Sequence, residues 1–98
     1  MKNSNLILNP EAMEFLASYL NHSSPTGFEW ENQERWMSYL LPYVDGFTTD
    51  TYGNTVGIIN PEAKYKVVLE AHADEISWYV NYITEDGMIF VVPNGGSD

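Results

Sequence analysis

Three consecutive apolar residues, Val67-Val68-Leu69, sit inside a segment of strand type running from Lys66 to Ala71, with no alternation of polarity. Such a strand reads as buried on both faces, the pattern of an interior strand in an α/β sheet. It requires helices above and below it and paired neighbours on both edges. The 98 residues, 44% hydrophobic and 14% aromatic, are enough for one modest core and not for two.

Both helices that the sequence offers lie upstream of this strand. Asn9-Pro10-Glu11 has the residue order of a helix start: an N-cap, a proline at the first helical position and a carboxylate near the positive end of the dipole. Ala12, Leu16, Tyr19 and Leu20 then recur on one face as far as about Asn21, where Ser23-Ser24-Pro25-Thr26-Gly27 interrupts the pattern. In the second helical pattern, Trp30, Gln33, Trp36, Met37, Leu40 and Leu41 share a face and Glu31, Asn32, Glu34 and Arg35 point away, with Pro42 as the limit.

Beyond Pro42 the period changes to two. Phe47 to Thr51 and Thr55 to Ile59 read as strands joined through Tyr52-Gly53-Asn54, where Gly53 or Asn54 takes a positive φ. Ile76 to Ile83 and Met88 to Val92 form a second pair around Thr84-Glu85-Asp86-Gly87. Two helices and about five strands fall short of covering the doubly buried strand, so the sequence predicts that further chain or another subunit covers it.

Charge narrows the choice of partners. Fourteen Asp and Glu against four Lys and Arg give a net charge of -10, a field that repels phosphate backbones and anionic lipid surfaces. Nucleic acid and membrane are therefore not expected as partners. The same excess carboxylate also serves solubility alone. The chain has no cysteine, which excludes a disulfide framework, thiolate metal sites and a cysteine nucleophile. The apolar run near Met1 is too short for a signal peptide and no later run is long enough to span a bilayer, so a cytoplasmic location is expected.

Where the apolar strand stops, Ala71-His72-Ala73-Asp74-Glu75 follows. A strand end is a rigid place from which to aim a ligand, and an imidazole binds a cation well when a neighbouring acceptor fixes its tautomer and orientation. His72 is the candidate ligand and Asp74 its orienter. Taken alone, a His-X-Asp is more often a hydrogen-bonded pair at a strand end than a metal site. His22 reads as an exposed loop residue, Glu29 as a solvated or helix-start carboxylate, and Glu75 as a hydrogen-bonding group behind the site. Trp30, Trp36 and Trp78 are expected in packing or in an oligomer contact.

Four motifs in order resemble the N-terminal part of the M42 family of metallo-aminopeptidases: Ser24-Pro25-Thr26-Gly27-Phe28-Glu29, Asp50-Thr51-Tyr52-Gly53-Asn54, Ala71-His72-Ala73-Asp74-Glu75-Ile76 and Gly95-Gly96-Ser97-Asp98. The resemblance implies an α/β fold, a partial zinc-exopeptidase mixed sheet with flanking helices, residues 1–75 belonging to the catalytic domain and residues 76–98 beginning an inserted β domain of dimerisation type. It implies a peptide substrate, a homo-oligomer and two divalent ions per complete site, zinc or cobalt, with His72 holding one ion and Asp74 orienting the ring. The first two motifs carry no catalytic role by this resemblance, and their glycines answer to turns.

The family's bridging aspartate, glutamate pair, further aspartate and second histidine have no counterparts here. The chain is therefore expected to be an N-terminal segment, inactive alone, of a di-metal aminopeptidase. The competing expectations are a noncatalytic self-associating module and, ranked lower, a glycoside hydrolase. Isolated, the segment would expose apolar faces and strand edges and self-associate.

Overall fold

The computed structural model describes residues 8–96; the opening segment before Leu8 and the Ser97-Asp98 of the fourth motif lie outside the described residues. Helix α1 spans Pro10–Leu20, and the Asn9 side chain accepts a hydrogen bond from the Ala12 amide at 2.7 Å, as an N-cap should. Helix α2 spans Trp30–Leu40 and tightens into a 3₁₀ turn at Leu41–Tyr43 that contains Pro42. Strands β1 (Gly46–Thr49) and β2 (Thr55–Ile58) form one antiparallel pair, and β3 (Ser77–Ile83) and β4 (Ile89–Asn94) form another. The two helices and both hairpins thus occupy the places that periodicity assigns them.

The helices meet through aromatic rings. Phe15 stacks on Tyr39 with centroids 3.9 Å apart and planes within 7°, and Tyr39 leans towards Tyr43. The inward face of α1 is accordingly Ala12, Phe15 and Tyr19, whereas Leu16 and Leu20 are exposed. This corrects the expected stripe of Ala12, Leu16, Tyr19 and Leu20. Both stripes have helical spacing, and the one that carries a ring able to stack on Tyr39 is the one turned inward.

Asn32 is a second correction. Expected to point away, it is 2% exposed and donates from Nδ2 to the Tyr19 carbonyl at the end of α1, at 3.2 Å. The last carbonyls of a helix lack intrahelical partners, and a side-chain amide on the neighbouring helix answers one of them. Its Oδ1 is buried without a partner.

Helix α2 also holds the first hairpin, with Trp36 edge-on to Phe47 and Gln33 Nε2 donating to the Gly53 carbonyl at 3.1 Å. Gly53, at φ 85°, supplies the left-handed residue of the turn. β1 ends at Thr49 because Asp50 begins the turn. One of its carboxylate oxygens accepts from the Tyr52 and Asn54 amides, and the other accepts from the Asn54 side chain.

In the second hairpin the register shifts between Val80 and Tyr82, leaving Asn81 as the bulged residue. Tyr82 and Phe90 stack across the pair with centroids 4.4 Å apart. After β4, Gly95 adopts φ 96° close against Ile76, where a Cβ would stand 2.8 Å from the isoleucine Cγ2. Only glycine fits that approach.

The expected interior strand differs most. Lys66 to Ala71 pairs with no described strand, and Val67, Val68 and Leu69 are 88%, 80% and 95% exposed. A mixed sheet is not assembled among the described residues; there are two separate two-stranded sheets. A strand exists by pairing, and the described residues supply this segment with no partner edge or covering helix.

No apolar side chain among the described residues is fully buried. The accessible surface is 8754 Å², against about 5,700 Å² for a compact monomer of this size. The radius of gyration is 18.4 Å, where about 13 Å describes a compact domain of this length.

The Asp50 turn has a signed pH dependence. The Asn54 side chain, and then the backbone amides, hold the Asp50 carboxyl below its ordinary value near 3.8. Its support of the turn is fully present above that value and is lost as pH falls through the lowered one. An NMR titration should therefore find the Asp50 carboxyl carbon titrating below 3.8, with the Tyr52 and Asn54 amides following the same midpoint.

Candidate functional site

The end of the extended segment is fixed from a distant part of the chain. Pro25 and Glu75 form an isolated parallel bridge, in which the Glu75 amide donates to the Ser24 carbonyl at 2.9 Å and the Thr26 amide donates to the Glu75 carbonyl at 3.4 Å. The bonds come from the neighbours of Pro25, so its missing N–H costs nothing here. Ser24, 3% exposed, adds two more: its hydroxyl donates to the Ala73 carbonyl and its amide to the Glu75 carboxylate, each at 2.8 Å. Residues 73–75 are thereby clamped to the loop between the helices.

Asp74 lies within this clamped segment and His72 immediately before it. The imidazole Nδ1 lies 3.0 Å from Asp74 Oδ1 and 2.9 Å from the Asp74 carbonyl. Both neighbours are acceptors, which assigns the proton to Nδ1 and leaves the Nε2 lone pair free. The His72 side chain is 86% exposed, so Nε2 is open to a ligand. The other Asp74 oxygen accepts from the Thr26 hydroxyl at 2.6 Å. The Thr26 hydroxyl first, and His72 second, hold the Asp74 carboxyl below its ordinary range.

The structure thus brings the His72 and Asp74 side chains within hydrogen-bond distance of each other. Glu29, at the N-cap position of α2, caps no helix amide with its side chain and instead accepts from the Gly27 amide of the preceding turn at 2.6 Å, and the Glu75 carboxylate accepts the Ser24 amide already described. His22 differs from expectation. Its Nε2 lies 3.0 Å from Glu31 on the first turn of α2 and its side chain is only 24% exposed, because the loop folds back over that turn. Trp30 and Trp78 are 50% and 56% exposed and pack into no core, while Trp36 meets Phe47.

Among the described residues, no three His, Cys, Asp or Glu side chains come together as a metal-binding group. The arrangement offers one oriented nitrogen donor. No helix of the described residues is long and apolar enough to cross a membrane.

Ser24 and Thr26 are the residues that sequence reasoning missed. They lie 48 to 51 positions from their partners, and nothing within a local window connects the two segments. The one hint was a pair of hydroxyl residues flanking a proline in a motif whose glycine alone had been explained.

The family model described as M42 glutamyl aminopeptidase matches residues 53–98, which include the His72 motif and the Gly95 motif. No curated protein matches the chain. Among solved structures, a TET aminopeptidase from the marine sediment archaeon Thaumarchaeota archaeon SCGC AB-539-E09 is similar, with TM-score 0.79 and 26% identity. The match covers 88% of this chain and 24% of that one, so the chain spans about a quarter of the length of the structure it resembles. Both findings agree with the family resemblance carried by the four motifs.

The clamp is open to a local test. Ser24→Ala leaves the Ala73 carbonyl without its partner, at a cost of about 1 kcal/mol. Native-state hydrogen exchange at the Glu75 amide should quicken roughly fivefold, while the Asn21 amide at the end of α1 is unchanged.

Proposed function

We propose, from the match of residues 53–98 to the M42 glutamyl aminopeptidase family model, that this chain contributes one metal ligand and its orienting carboxylate to a di-metal aminopeptidase that removes N-terminal residues from peptides. The observation that carries the reading is the Asp74–His72 contact, which orients the ring from Nδ1 and leaves Nε2 exposed.

The donor chemistry fits one position of such a site. His72 would hold an ion through Nε2, and Asp74 would keep the ring turned and the proton on Nδ1, raising the basicity of the ligand. A pair of divalent ions, when bound, lowers the pKa of a water and polarises a carbonyl. One histidine and one aspartate do not fix the choice among zinc, cobalt and manganese, although an imidazole donor favours zinc or cobalt over manganese. No three donor side chains come together among the described residues, so turnover would belong to a complete enzyme, a cytoplasmic homo-oligomer with peptide substrates. The exposed apolar faces of β3 and β4 and of residues 67–69 support a setting in which other layers cover them.

Replacing His72 by Ala in the complete enzyme should remove one equivalent of metal and abolish hydrolysis of aminoacyl chromogenic substrates; unchanged metal content and rate would refute the assignment. Asp74→Asn should keep the fold and weaken metal affinity or activity on the order of 10 to 100-fold. The 98-residue chain alone should show no peptidase activity at any metal concentration. Reproducible turnover by the purified chain would overturn the requirement for further donors.

A further inference from the structure

We propose that Thr26 is a positioning residue for the metal-ligand pair, acting on His72 through Asp74; this rests on the aminopeptidase reading given above. A carboxylate between two donors has two ways to turn. At Asp74 the Thr26 hydroxyl takes Oδ2 at 2.6 Å, and this leaves Oδ1 facing His72 Nδ1 at 3.0 Å. The three groups form one line of donors and acceptors, from hydroxyl to carboxylate to ring, ending at the free Nε2.

Thr26 is itself held from both directions. Its amide is tied to the Glu75 carbonyl. Its carbonyl accepts from the Tyr79 hydroxyl and from the Asn94 side chain, each at 3.1 Å, so the base of the β3–β4 hairpin braces the same residue. Phe28, two positions on, stands edge-on to Tyr79 at 6.3 Å. A side chain pinned this way can fix a carboxylate rotamer, which a mobile loop residue cannot.

The line of contacts also accounts for the hydroxyl in the Ser-Pro-Thr-Gly segment. Its neighbour Gly27, at φ 97°, answers to the turn, whereas Thr26 makes a side-chain contact that no turn requires. Serine can replace it in this role and valine, of the same shape, cannot.

The experiment is a zinc titration of the metal-stripped complete enzyme against a chromophoric chelator, for Thr26→Val, Thr26→Ser, Asp74→Asn, His72→Ala and the Thr26→Val/Asp74→Asn double variant. Thr26→Val should weaken zinc binding about 10-fold, Thr26→Ser should restore it, and the double variant should bind no more weakly than Asp74→Asn alone, because one residue acts through the other. Wild-type affinity in Thr26→Val, or losses that add in the double variant, would overturn the proposal. Loss of zinc in His72→Ala without loss in Thr26→Val would refute only the role of Thr26. No loss in His72→Ala would refute the metal-site reading itself.

Should Thr26→Val fail to assemble, the same zinc titration is made on Thr26→Ala, which also lacks the hydroxyl that Asp74 accepts from; a comparable loss of affinity supports the role, and wild-type affinity overturns it.

Discussion

The parallel bridge between Pro25 and Glu75 is the constraint on which the other long-range features depend. It joins the helical half of the chain to the segment carrying His72, and its flanking bonds use Ser24 three times and Thr26 twice, through backbone and side chain. Ser24 is one of only two fully buried residues among those described, and it is polar. The order of this region therefore comes from satisfied hydrogen bonds, with aromatic contacts added at the margins. Such contacts are directional, and direction is what an imidazole ligand needs.

The distribution of apolar surface complements this picture. Rings pair locally, Phe15 with Tyr39 and Tyr82 with Phe90, yet no side chain reaches full burial. A chain with this much hydrophobic content normally closes a core. Here the stripes of the hairpins and of residues 67–69 face outward together. Among the described residues they stay uncovered, and the chain matches about a quarter of the length of the TET aminopeptidase structure it resembles.

Local physics made much of this legible. Asn9 capped α1, Pro42 marked the end of α2, Gly53 and the Thr84–Gly87 turn closed the hairpins, and His72 with Asp74 lay two residues apart on one segment. What the sequence hid was set by partners far along the chain. α1 has two stripes of helical spacing, and the position of Tyr39 chose between them. Asn32 turned inward, where its side chain adds a donor to a carbonyl at the end of the other helix. Lys66 to Ala71 carries the composition of a buried strand, but burial belongs to neighbours, and the described residues contain none for it. Thr26 has the same cause behind it, since its partner lies 48 residues away.

That separation has a kinetic meaning. Thr49 and Thr55 meet across six residues, whereas Thr26 meets Asp74 across 48, about three doublings of loop length, or roughly 1.8 kcal/mol more closure entropy. Helices and hairpins relax within microseconds, and the long loop closes against a larger barrier with few apolar contacts to reward it early. The Thr26–Asp74 contact thus closes after the local helices and hairpins have formed, and it is among the first to dissolve when the chain loosens.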